Sequence, residues 1–151
     1  MKQKTTIMRL ILVVLVIGLT VLIFLLSNQP ATQSSHLSNS FASYSLPYIE
    51  KIVNTDLTLR EWNRMLRKTA HFSLFFFLAL IVVTICKLSK MSWRRASIVT
   101  LFICMGYAVI DEYHQLFIAG RGASMRDVAI DSAGAIVGIV VVFIVGRRWL
   151  K

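Results

Sequence analysis

Residues 96–118 read ASIVTLFICMGYAVIDEYHQLFI: fifteen residues without a charge, then Asp111, Glu112, His114 and Gln115 within five positions. A membrane-spanning helix needs about 20 mostly apolar residues at ~1.5 Å of rise each. This run has that length, and it ends in ionisable groups that a bilayer makes expensive. Three further runs accompany it. Leu10–Leu26 carries no charge, Thr69–Cys86 has only His71 as an ionisable group, and Val128–Val145 is broken only by Asp131. None alternates apolar with polar residues, so barrel strands are excluded and helices are the remaining way to satisfy backbone groups in lipid. The reading is an all-α integral membrane protein, one domain over 1–151, with transmembrane helices at 10–26, 69–86, 96–118 and 128–145.

Composition agrees. Of 151 residues, 56% are hydrophobic and 16% charged. Disorder requires the opposite balance, and a soluble domain carries about a quarter charged residues. The net charge of +10 raises the question of nucleic acid, and the positions of the charges answer it. Lys2, Lys4 and Arg9 precede the first run. Lys87, Lys90, Arg94 and Arg95 follow the second. Arg147, Arg148 and Lys151 follow the fourth, and no acid accompanies these ten. By the positive-inside rule all three segments are cytoplasmic, giving N-in and C-in, with Trp93 and Trp149 at the inner interface. The basic excess is an orientation signal, and no nucleic-acid partner is expected.

The first run follows a basic segment, as a signal peptide would. Its apolar stretch is long for that role and no small-x-small cleavage pair follows, so it is read as an anchor. No Cys follows it that could take a lipid. The two cysteines, Cys86 and Cys104, are read as buried thiols.

The outer face is predicted to hold the remaining basic residues and all seven acids. The outer loop, 27–68, is Ser/Asn/Gln-rich to Ser45 and reads as solvated, with His36 inert within it. After Pro47, Ile49, Ile52 and Val53, and then Trp62, Met65 and Leu66, have helical spacing. One or two short surface helices are expected there.

Three polar groups converge on this face. Arg64, Lys68 and His71 share a helical face at the start of the second span, with Arg67 beside them. Asp111, His114 and Gln115 share a face at the end of the third, next to Glu112 and one turn above Tyr107. Arg121, Ser124, Arg126, Asp127 and Asp131 form the last outer loop and the start of the fourth span. Asp127 and Asp131 lie one turn apart, and Gly134 and Gly138 continue that face as a close-packing pair. Gly120 and Gly122 bracket Arg121. A hairpin about Arg121 would set Asp111 level with Asp131 and Gln115 with Asp127.

Charges so placed need partners, and two readings stay open: a structural ion-pair lock or an outward-facing site. Within a site, His71, Asp111, Glu112 and Asp127 are the acid/base candidates. Asp131 is the deepest acid, with Lys68 or His71 available to pair with it. Phe75–Phe77 reads as packing or lipid-facing. His114 beside Asp111 and Glu112 has no metal-ligand spacing, so neither a metal nor a cofactor is expected. The nucleophile elbow, the P-loop, the dinucleotide fingerprint and the membrane lipid phosphatase pattern are all missing.

Lys68-x-x-His71, then Asp111-Glu112-x-x-Gln115-x-Phe117-x-x-x-Arg121-x-x-Ser124-x-x-Asp127, then Asp131-x-x-Gly134, resembles the VanZ-like family. Ser27-Asn-Gln-Pro-x-x-x-Ser34, with Ser38 behind it, is similar to that family's first-loop signature. Ala119 stands where the family often has Pro, and Asp131 where Asn is common. The resemblance implies a small bacterial membrane protein whose family namesake is linked to low-level resistance to teicoplanin, a lipid-tailed glycopeptide. It implies a setting and not a reaction. Two functions fit. One is a binding protein that grips an anionic envelope lipid or glycopeptide-type ligand through its basic residues. The other is a small enzyme performing acid/base chemistry on a lipid-linked envelope precursor. Either places the chain in the cytoplasmic membrane with its functional face outward, among membrane lipids.

Overall fold

A computed structural model describes residues 2–53 and 57–147; Arg148, Trp149 and Lys151, assigned above to the inner side, lie outside them, as does the side chain of His36. Five helices follow in order: α1 (Lys2–Ser27), α2 (Ala31–Val53), α3 (Leu59–Leu88), α4 (Trp93–Gln115) and α5 (Met125–Gly146). Four of them, over Gln3–Ser27, Leu59–Leu88, Trp93–Gln115 and Met125–Gly146, are long and apolar enough to cross a membrane. They contain the four apolar runs almost entirely. The spans are longer than the runs because helices continue into their polar ends.

Local signals set the boundaries. Thr58 caps α3 and forms a reciprocal capping box with Glu61, which satisfies otherwise free N–H groups. The Ser92 hydroxyl accepts from Arg95 N–H at the start of α4. Lys90, at φ 62°, turns the chain between α3 and α4.

The polar stretch read as a solvated loop is instead part of a 23-residue helix, α2. Its side chains explain why. Ser43 and Ser45 hydroxyls donate to carbonyls three or four residues back, which satisfies them inside the helix. α2 also docks on the beginning of α3. Trp62 Nε1 donates to Ser45 Oγ at 2.8 Å, and the Asn63 amide donates to Asn39 Oδ1. The expected short surface helices are thus one long helix, plus an α3 that starts ten residues before its apolar run.

α3 is the central element and touches every other helix. Phe75, Leu78, Ala79, Val82 and Val83 are buried along it, with Ala96, Cys104, Ala108, Ala135 and Ile139 packed around them. Gly134 of α5 lies on the backbone of Phe72 and Gly138 on that of Phe76, so α3 and α5 run parallel and nearly touch. The Gly face read from the sequence therefore packs as small-residue helix seams do. Trp93 meets Phe143 edge-on, and Glu112 meets Ser124, so α4 runs against α5. Tyr107 donates to Thr20 O and Ser27 to Asp111, so α1 runs with α4. Arg9 donates to Leu88 O and ties the start of α1 to the end of α3. Most large apolar side chains of α1 remain exposed, as a lipid-facing helix requires.

This arrangement gathers the ends of α1 and α4 with the starts of α3 and α5. The described basic residues Arg9, Lys87, Lys90, Arg94, Arg95 and Arg147 belong to the opposite end.

Candidate functional site

Helix α3 brings the first polar group to this gathered end. Arg64, Lys68 and His71 face one cavity of about 530 Å³, and Arg67 lines it too. The four-and-three spacing produces this shared face. Apolar Leu26, Ala70, Leu74 and Ile130 form part of its wall. Helix α5 supplies Asp127 and Asp131, α4 supplies Glu112 and Gln115, and the α4–α5 loop supplies Arg121 between Gly120 and Gly122.

One ion pair and one imidazole–carboxylate contact cross from α3 to α5. Lys68 Nζ lies 2.8 Å from Asp127 Oδ1, both side chains being about one-third exposed. His71 Nδ1 lies 3.7 Å from Asp131 Oδ2. Asp131 is 1% exposed, and neither of its carboxylate oxygens has a hydrogen bond among the described residues. The acid read as deepest therefore pairs with His71, and Lys68 takes the shallower Asp127.

The buried acids of α4 hold the walls together. Asp111 accepts from Ser27 Oγ at 2.8 Å and from Gln115 Nε2 at 3.1 Å, locking the end of α1 onto α4. Glu112 accepts from the Ser124 backbone N–H at 2.7 Å, where the loop enters α5. Arg121 donates to Leu26 O at 3.3 Å. Desolvation, and then the neighbouring Arg67 guanidinium, pull the Arg121 pKa below its ordinary value, although it stays protonated. Like charges crowded this way favour an anion between them.

Several expected residues sit elsewhere. Asp111 lies behind the cavity wall and not on it. His114 shares the α1-facing side with Asp111 and Gln115, as its spacing predicts, and is not among the cavity's lining: Nε2 lies 3.3 Å from Asn28 Oδ1 and its ring 4.8 Å from Phe24. Arg126 is exposed and outside the cavity, because its neighbour Asp127 takes the inward position on α5. Ser124 contributes its backbone, and its side chain makes no capping bond. Consecutive turns at Leu116–Arg121, with Gly120 at φ 75°, complete the reversal before Arg121. Glu112 reaches Ser124 at the start of α5, and Gln115 lines the same cavity as Asp127. Among the described residues no three His, Cys, Asp or Glu side chains group as a metal site would need.

Reading the polar groups alone missed Ser27, Gln29 and Ser38. Ser27 is fully buried on Asp111, while Gln29 and Ser38 line the cavity. Their signal lay in the first-loop resemblance, not in any charge.

The Lys68–Asp127 pair separates lock from site. An exposed pair is worth ~0.2–1 kcal/mol, so the double variant Lys68→Asp, Asp127→Lys should recover stability lost by either single change. Under a site reading it should not recover ligand retention, because the swap moves the positive charge to another helix. A double-mutant cycle on thermal midpoint and on lipid retention measures both. Full recovery of retention would make this pair purely structural.

No curated protein and no solved structure matches the chain. A model of the VanZ/LLP1 family matches residues 12–146, which include α2, α3, α4, α5 and the part of α1 from residue 12 on, together with every residue of the cavity. This multi-pass membrane protein belongs to the VanZ/LLP1 family.

Proposed function

We propose that the protein holds the anionic headgroup of an envelope lipid, or of a lipid-tailed glycopeptide, in the cavity between α3, α4 and α5, and that this cavity faces outward. One observation carries the reading. Arg64, Arg67 and Arg121 line the cavity, and among the described residues none of them lies within ion-pair distance of a carboxylate. The acids present are otherwise engaged: Asp127 by Lys68, Asp131 by His71, and Glu112 by the Ser124 N–H. Three guanidiniums without carboxylates suit a phosphate or carboxylate ligand, which Arg grips with paired N–H donors. The apolar wall of Leu26, Ala70, Leu74 and Ile130 suits the first carbons of a lipid chain. An outward face follows from the basic residues gathered at the other end. Contribution to tolerance of teicoplanin-like antibiotics would follow from occupying or shielding such an envelope target.

A second reading rests on His71 beside buried Asp131 at 3.7 Å. A carboxylate-paired imidazole lining a cavity is suited to acid/base chemistry on a lipid-linked precursor. One experiment tests both. The purified full chain in detergent should retain phosphatidic acid over phosphatidylcholine of the same acyl chains, and the lipid should be recovered intact. Recovery of cleaved lipid would favour the enzyme. Equal retention of the two lipids would remove the anion site.

A further inference from the structure

Beyond the first cavity lies a second, lined by Arg60, Asn39 and Asn63, which shares Arg64, Arg67 and Gly120 with the first. The shared arginines make the two cavities neighbours, the first at the α3–α5 floor and the second at the α2–α3 junction. The chemistry differs between them. The first cavity has carboxylates and an imidazole between its cations. The second has two carboxamides and, among the described residues, no acid.

Asn63 gives the second cavity its character. It is 6% exposed although it sits near the start of α3. Its Nδ2 donates to Asn39 Oδ1 on α2. Its own Oδ1 is buried and accepts nothing among the described residues. A buried acceptor without a donor is destabilising, so a donor is what this position lacks. An ionised phosphate cannot supply one, because it presents acceptors alone. It would satisfy the arginines and repel Asn63 Oδ1. A hydroxyl supplies the donor and can also accept from Arg60 or Arg67.

We propose that the second cavity is a subsite for a hydroxyl-bearing part of the same headgroup. The ligand class is then an amphiphilic phosphodiester with a polyol or sugar beyond the phosphate. The phosphate would lie at the shared arginines and the hydroxyls at Asn63 and Asn39. This rests on the reading that the first cavity is an anion site.

The test uses the full chain in detergent micelles and native mass spectrometry. Phosphatidic acid and phosphatidylglycerol of identical acyl chains are offered at equal concentration. Phosphatidic acid carries the greater negative charge, so a preference for phosphatidylglycerol cannot come from charge. The wild-type chain should prefer phosphatidylglycerol by roughly two- to tenfold, the worth of one neutral hydrogen bond. Asn63→Leu should bring the ratio to about one. Asn39→Ala, at a less buried position, should move it the same way and guards against misfolding of the first variant. A wild-type ratio in both variants, or no preference for phosphatidylglycerol in the wild type, overturns the subsite. If the wild type retains neither lipid over phosphatidylcholine, the anion reading itself fails and the subsite falls with it.

Discussion

Gly134→Val should leave a chain that still enters the membrane but no longer assembles its polar cavity. A Cβ at Gly134 would fall on the carbonyl oxygen of Phe72, and one at Gly138 would lie 2.5 Å from that of Phe76. Both obstacles are backbone, so no side chain can swing away, and α3 and α5 must separate. Overpacking costs ~1–3 kcal/mol where side chains can adjust, and this seam has less freedom than that. Lys68–Asp127 and His71–Asp131 both cross it, so separating the helices pulls both pairs apart. The expected result is a lowered thermal midpoint in detergent together with lost retention of phosphatidic acid. Gly18→Val and Gly106→Val are the controls, since a Cβ at either position meets nothing within 4 Å. Wild-type stability and retention in Gly134→Val would mean that α3 and α5 are not so close.

The largest effect on binding alone is expected from Arg121→Ala. Its guanidinium lines the cavity beside Arg67 and contacts the end of α1 through Leu26 O. A charge-assisted hydrogen bond contributes ~1.5–3 kcal/mol, so retention of phosphatidic acid should fall roughly tenfold to a hundredfold. Arg94→Ala and Arg147→Ala remove equal charge at the opposite end and should change retention little. Equal retention in all three variants, at matched protein levels, would remove Arg121 from the site.

The spans and most of the cavity's lining are legible because their signals are local. A bilayer imposes length and apolarity on each helix separately, so four runs were enough to locate four helices. Residues three and four apart share a face whatever surrounds them, so Arg64, Lys68 and His71 were grouped correctly without a structure. What could not be read depends on contacts between distant segments. α2 is a helix because Ser45 and Asn39 meet Trp62 and Asn63, and nothing within its own polar composition announces that. Ser27 became the partner of Asp111 through the packing of α1 on α4, across more than eighty residues of sequence. The reversal between α4 and α5 turns at Gly120, beside the expected Arg121. His114 follows its spacing too: with Asp111 and Gln115 it faces the end of α1, and that face is not the one that lines the cavity.

Gly122→Cys provides the most direct measurement. Gly122 lines the cavity, and a side chain there meets nothing within 4 Å, so the thiol should report on the site without disturbing it. Ser89→Cys, at the end of α3, marks the opposite end. The two native cysteines are buried and should remain silent to a membrane-impermeant thiol reagent. The quantity measured is the labelling rate from outside, in right-side-out vesicles of phosphatidylcholine with or without added phosphatidic acid. The expected result is that the Gly122→Cys variant labels from outside and slows when phosphatidic acid is added, while the Ser89→Cys variant labels only after permeabilisation. Labelling of Gly122→Cys only after permeabilisation would contradict the outward face, and a rate indifferent to phosphatidic acid would contradict the anion site.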